Sequence, residues 1–240
     1  MTLAKCCFTD WFDRAHVIHL EERTDRLRSI VAQLAKVGVC PEPGRVEVFS
    51  AFKFETAGGF PCSGARGCFF SHREVLVKAM HDKLHRVLVM EDDLEIDQAL
   101  LLEPAQLLDQ LDHTDWGIAY LGHNLPMPPL NPPQFVLTRG EPIGSHFYAI
   151  QGEAIPKLIA YLDSMLTRPP GDPLGSPMDY DGALSMFRRL HPEVLTVAAT
   201  ASLGWQGASR SDVRPRPWDR YPLVREFAGL ARSFRALARK

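Results

Sequence analysis

The 240-residue sequence contains no apolar run approaching the roughly 18–20 residues that a membrane-spanning helix needs. Lys5, Asp10, Asp13 and Arg14 interrupt its first twenty residues, which leaves no signal-peptide core and points to the cytoplasm. Net charge is small, −2 at pH 7, so no whole-molecule positive field exists to hold nucleic acid. The five cysteines (Cys6, Cys7, Cys40, Cys62 and Cys68) are odd in number and lack C-x-x-C spacing. That argues against a disulfide framework or a zinc ribbon and for reduced thiols. Internal repeats and a Gly-rich phosphate loop of the P-loop type are both missing. What remains, 45% hydrophobic and 23% charged, is the composition of one globular domain or a domain with a small appendage.

The hydrophobic pattern alternates between two periods. Residues 15–20, 46–51 and 86–90 read as strands, the last a nearly continuous apolar run of the kind buried in a central parallel position. Residues 23–37 read as a helix closed by Gly38, 55–67 as a Gly-rich loop, and 71–83 as a second helix. Further strands are expected at 116–121, 134–137, 145–150 and 193–198, with helices near Pro104, after Gly152 and over 179–190. Proline-rich connections span 126–133 and 168–177. Strands alternating with helices predict an α/β fold whose mixed, mostly parallel sheet is flanked by helices. Residues 214–240 differ from the rest. Eight basic residues there face only Asp219 and Glu226, and Leu223, Phe227, Leu230, Phe234 and Leu237 recur at spacings of four and three. This predicts a basic amphipathic helix appended to a domain over 1–213, suited either to an anionic membrane surface or to packing on its own domain or a second subunit.

Three passages carry chemistry. Glu91-Asp92-Asp93 ends the central strand, and bunched carboxylates at a strand's carboxyl end offer hard oxygen ligands for a divalent cation, or else form a solvated turn. In Gly67-Cys68-Phe69-Phe70-Ser71-His72, Ser71 with Glu74 makes a capping box. His72 would then sit in a first helical turn, beside exposed N–H groups able to receive a phosphate or a sugar hydroxyl, or serve as a structural histidine. In VIHLEERTDR, a strand runs into a helix start bearing Arg23 and Arg26, which suit an anionic or planar ligand such as a nucleotide, while Thr24 or Asp25 is available as a helix cap.

Taken together, VIHLEERTDR, then GARGCFFSH, then RVLVMEDDLEI resemble glycosyltransferase family 25, the lipooligosaccharide-biosynthesis glycosyltransferases. Further matches lie at Tyr120-Leu121-Gly122, from Gly144 to Ile150, at Pro177-Met178-Asp179 and from Gln206 to Val213, so the resemblance covers about residues 15–213. It implies a GT-A-like, Rossmann-type fold and inverting transfer of galactose or glucose from a UDP-sugar to a lipooligosaccharide or other cell-surface glycan. Glu91-Asp92-Asp93 matches the family's DxD-type motif, which implies that Asp93, with Asp92 or Glu91, holds Mn²⁺ or Mg²⁺ against the donor diphosphate. By the same carry-over, His19, Leu20, Arg23 and Arg26 line the nucleotide pocket, and Gly67, Ser71 and His72 sit near the donor. Inversion requires a carboxylate base, for which Asp179 and its neighbour Asp181 are the candidates, Asp179 also being placed to cap the helix that follows. Trp205 stands as a sugar-stacking or a packing residue, and Cys68 as a small buried residue and no nucleophile. Two other functions compete: a catalytically silent relative serving as a binding or scaffold module, and a metal-dependent phosphohydrolase or nucleotidyltransferase.

Overall fold

The computed structural model describes residues 7–101, 104–127, 130, 132–139 and 144–207; the basic helix expected over 214–240 lies outside them. After a single 3-10 turn (Phe8–Trp11), the chain forms β1 (Arg14–His19), α1 (Thr24–Lys36), β2 (Val46–Ser50), α2 (Ser63–His81), β3 (Arg86–Glu91), β4 (Leu94–Ile96), α3 (Gln98–Leu101), α4 (Ala105–Asp112) and β5 (Ile118–Tyr120). It continues through β6 (Phe135–Leu137), β7 (Phe147–Gln151), α5 (Ala154–Met165), α6 (Tyr180–Leu190), β8 (Thr196–Ala199) and β9 (Gly204–Gln206). Seven strands make one sheet in the order β2-β1-β3-β7-β5-β8-β6, and β4 pairs with β9 in a separate ribbon. β2, β1, β3, β5 and β8 run in one direction, while β7 and β6 oppose them. The expected mixed, mostly parallel α/β sheet is the observed one.

Side chains on a strand alternate between faces, and here each face has its own core. On β3, Leu88 and Met90 pack with Ile30 and Leu34 of α1 and Leu108 and Leu111 of α4. Val87 and Val89 point the other way, onto Phe69 and Leu76 of α2, Leu158 of α5 and Phe187 of α6. β7 repeats the division, with Phe147 and Ala149 on the first face and Tyr148 and Ile150 on the second. Strands covered on both sides have no polar face to show, which is why RVLVM reads as an apolar run. Each such Leu or Phe contributes about 1.5–3 kcal/mol by burial. Gly38 ends α1 as expected, at φ +75°, a conformation L side chains rarely adopt.

One expected boundary is wrong and it matters for function. Residues 63–70, expected as loop and helix approach, are the first two turns of α2. Cys62 caps the helix, its Sγ accepting from the Ala65 N–H at 3.4 Å. Gly64 and Gly67, each costing about 1 kcal/mol in a helix interior, suggested a break. Burial of Ala65 and Phe69 offsets that cost, and Gly67 is needed because a Cβ there would collide with the Phe52 carbonyl oxygen. The Ser71–Glu74 capping box is therefore overturned. Ser71 lies buried in mid-helix, donating to the Gly67 carbonyl at 2.6 Å and accepting from the Phe52 N–H at 2.8 Å. His72 sits more than two turns into α2, where backbone N–H groups are spent on the helix itself. At α1 the N-cap residue is Arg23, and neither Thr24 nor Asp25. The β4–β9 ribbon has no counterpart among the expected strands.

Candidate active site

β1 and β3 end side by side, Ile18 opposite Glu91, so the carboxyl ends of the parallel strands present VIHL and MEDD to one edge. The turn after β3 is pinned by main-chain bonds: Glu91 N–H donates to the His146 carbonyl at 2.9 Å and Asp92 N–H to that of Ile18 at 3.1 Å. That fixes three carboxylates in three different environments.

Asp92 turns inward. Its Oδ2 lies 2.8 Å from His19 Nδ1, its Oδ1 accepts from Arg26 Nη1 at 2.8 Å, and all three residues are buried. Asp93 is reached by Arg26 Nη2 at 3.2 Å and by Gln206 Nε2 of β9 at 3.4 Å, both at Oδ2; its Oδ1 is buried and accepts no hydrogen bond among the described residues. Burial, then the neighbouring Glu91 charge, push Asp93 up to about 7, against the pull of Arg26. Glu91 goes the opposite way: burial works against its charge, but the His72 imidazole and the Ser145 hydroxyl hold it down to about 2. Ser145 Oγ donates to Glu91 Oε1 at 2.6 Å, and His72 Nε2 stands 3.4 Å from the same oxygen.

An open-sided cavity of about 280 Å³ lies over this edge. Ile18 and Leu20 border it from the end of β1, Gly67, Ser71 and His72 from α2, and Glu91 to Asp93 with Arg26 from below. The remaining wall comes from the segment after β2, where Phe52 is 42% exposed and stacks on Phe54 with ring centroids 6.3 Å apart. The Arg66 guanidinium covers Phe54 at 4.0 Å. Of the residues expected at the site, His19 and Arg23 do not line the cavity. His19 supports Asp92, and Arg23 pairs with Asp25 at 3.0 Å.

Asp179 and Asp181 also lie off the cavity wall, at the start of α6, yet the fold brings them to the same cluster. Asp179 holds the N-cap position without a side-chain cap bond. Both aspartates, with Glu91 and Asp93, act on the Cys68 thiol, which burial and these four carboxylates raise well above its usual range. Burial, then Glu91, raise Asp181 as well, opposed by a hydrogen bond from Ser145. A hydroxyl has one proton to donate, so Ser145 between Glu91 and Asp181 satisfies one carboxylate at a time. Trp205 packs in the ribbon, its Nε1 donating to Glu95 Oε2 at 3.0 Å, outside the cavity lining.

Phe52, Lys53 and Phe54 lie outside every motif of the sequence, whereas Ser145 and Gln206 fall within stretches that match the family but carry no role there. Phe49 near the end of β2 with Phe52 and Phe54 just past it is the available signal, since aromatics gathered at a strand's carboxyl end exceed what the core there can take. Among the described residues no helix is long and apolar enough to cross a membrane. No protein-family model and no curated protein matches the chain. Among solved structures, it is similar to a glycosyltransferase involved in the glycosylation of the major capsid of PBCV-1, with 9% identity and a TM-score of 0.50 over 92% of this chain and 98% of that one. The likeness reaches a glycosyltransferase's α/β fold and stops short of family 25.

Proposed function

We propose that the chain is an inverting, metal-dependent glycosyltransferase that moves a hexose, galactose or glucose, from a UDP-sugar to a lipooligosaccharide or other cell-surface glycan acceptor. The observation that carries this reading is the set of carboxylates at the sheet's carboxyl edge beneath a cavity edged by the stacked pair of Phe52, exposed, and Phe54, half-buried. In open α/β sheets that edge is where ligands bind.

The residues present fit a divalent cation. Asp93 keeps a buried oxygen without a hydrogen-bond donor, and its carboxylate is crowded by Glu91 and Asp92, a repulsion that a cation relieves. Asp93 with Glu91 would hold Mn²⁺ or Mg²⁺, which supplies Lewis-acid stabilisation of the departing diphosphate. Asp92, committed to Arg26 and His19, instead fixes the turn on which the other two stand. The stacked pair Phe52 and Phe54 offers a flat apolar surface to a nucleobase. In the transfer, the acceptor hydroxyl oxygen bonds to the anomeric carbon as the bond to the diphosphate breaks, and UDP leaves with the electron pair. The hydroxyl proton goes to a carboxylate at the start of α6. Asp181 is our choice for this role, because burial and the neighbouring Glu91 charge raise its pKa and so strengthen it as a base. The basic amphipathic segment at 214–240 would hold the enzyme on anionic lipid beside its acceptor. Vesicle sedimentation of the full chain against one cut after Arg214 tests that, and equal pelleting would remove it.

The experiment for the function is a melting-temperature screen against UDP-galactose, UDP-glucose, UDP-N-acetylglucosamine and UDP, each with Mn²⁺ and with EDTA. Ligand at a hundred times its Kd stabilises by about 2.7 kcal/mol. The expected result is a Mn²⁺-dependent shift with a hexose donor that is lost in Asp93→Asn. Absence of any nucleotide-dependent shift would falsify the reading and favour a silent scaffold.

A further inference from the structure

One wall of the cavity is chemically unlike the rest. Cys68 and His72 are four residues apart on α2 and therefore share a face, opposite the last residue of β3, Glu91. The Cys68 Sγ, an imidazole nitrogen of His72 and a Glu91 carboxylate oxygen lie within 4.8 Å of one another. We propose that these three side chains form a binding site for a borderline-soft divalent metal of the zinc type, with a further coordination position facing the cavity. Sulfur, nitrogen and oxygen in this combination suit Zn²⁺ or Co²⁺, whereas Mg²⁺ and Mn²⁺ favour all-oxygen sets.

The imidazole is prepared for the role. His72 is completely buried, and its ring stacks on Tyr180 at 4.1 Å with the planes 10° apart. Nδ1 is 3.3 Å from the Tyr148 hydroxyl, which is itself 2.9 Å from the Tyr180 hydroxyl. Metal-bound histidines characteristically anchor their second nitrogen in this way. Nε2 is thereby aimed at Glu91 and makes no hydrogen bond among the described residues. All three ligand residues line the cavity, so an open position has somewhere to face, as in catalytic zinc sites. The surrounding Asp93, Asp179 and Asp181 add a negative field at the sulfur. On binding, the Sγ–H bond is exchanged for an Sγ–metal bond and the proton leaves to water. Thiolate and Glu91 carboxylate then balance the charge of a dication.

Glu91 also belongs to the cation set proposed above and would be the carboxylate shared between the two; the inference does not otherwise rest on the nucleotide-sugar reading, and its test uses no nucleotide. Co²⁺ is titrated into the full chain while the near-ultraviolet thiolate-to-cobalt charge-transfer absorption is followed, and Zn²⁺ binding is measured by calorimetry. The expected result is a charge-transfer band in the wild type that is absent in Cys68→Ser. Zn²⁺ affinity should fall roughly tenfold or more in Cys68→Ser and in His72→Gln. Circular dichroism and melting temperature of the metal-free variants check that they fold. A wild-type protein that shows no band overturns the site whatever the variants do. So does a band that survives Cys68→Ser, because another cysteine then supplies the sulfur, and so does Zn²⁺ affinity equal in all three proteins.

Discussion

Arg26 spans two consecutive carboxylates, giving Nη1 to Asp92 at 2.8 Å and Nη2 to Asp93 at 3.2 Å, so a single guanidinium on α1 sets the shape of the turn after β3. The two aspartates are not equivalent. Asp92 has two partners, both buried, while Asp93 keeps one oxygen with no donor. Asp92→Ala leaves the His19 ring without its carboxylate and the Arg26 charge with Asp93 alone. Removing one member of a buried charged set costs about 3–5 kcal/mol. Urea unfolding at neutral pH should show that loss for Asp92→Ala, and no loss for Asp93→Asn, which removes a carboxylate whose charge burial disfavours.

Asp93 should also leave a mark on the pH dependence of stability. Its carboxyl is raised in the folded state from 3.8 to about 7, so the fold binds that proton more tightly than the unfolded chain does. The contribution is therefore full below about pH 4 and is lost as pH rises through about 7, on the order of 4 kcal/mol before any relaxation. Asp93→Asn should gain stability relative to the wild type between those limits. Unfolding midpoints for both proteins at about pH 4 and about pH 8 check this, and a constant difference contradicts it.

His16 slopes the other way. It is wholly buried in β1, neither ring nitrogen makes a hydrogen bond among the described residues, and burial lowers it from 6.5 to about 4. The unfolded chain takes the proton first, so stability is full above about pH 6.5 and drains as pH falls towards 4, on the order of 3 kcal/mol. His16→Leu should flatten that acid limb. Because His16 and Asp93 oppose each other between about pH 4 and 6.5, each slope shows clearly only in the difference between wild type and variant.

Gly67→Ala has a diagnostic sign. In an unconstrained helix interior the change stabilises by about 1 kcal/mol. Here the new Cβ meets the Phe52 carbonyl, so the expected outcome is a destabilisation of roughly 1–3 kcal/mol, with displacement of Phe52 from the cavity edge. Thermal melting gives the sign directly.

If Asp181 receives the acceptor proton, Asp181→Asn should lower kcat/KM for glycosyl transfer by about 10²–10⁴-fold while leaving UDP-sugar binding intact. Steady-state kinetics beside a melting-shift measurement separates this from a folding defect. Equal activity in Asp181→Asn would return the role to Asp179.

The sheet was readable because its strands announce themselves. RVLVM is apolar since both its faces are covered, and the acids that stop it mark the carboxyl edge. The clustering of Asp179 and Asp181 with Glu91 depends on α6 packing against α2, a long-range contact that no local pattern encodes. The start of α2 is illegible in the sequence for a related reason. Gly64 and Gly67 argue locally for a loop, and only the approach of the Phe52 backbone makes a helix with glycine in it the better solution. Ser145 gave no signal of its own, because its importance comes from standing between two carboxylates from other elements.

β7 enters the sheet against the direction of its neighbours β3 and β5. β5 consequently ends, and β7 begins, at the same edge, where the Leu121 and Gly122 N–H groups both meet the Phe147 carbonyl, at 3.1 and 2.9 Å. The excursion between them is fastened at its two feet like a handle. The returning foot also carries the Ser145 hydroxyl and the His146 carbonyl to Glu91, so the handle and the acid edge are one mechanical unit, and a change of length that reaches this foot is felt at the carboxylates.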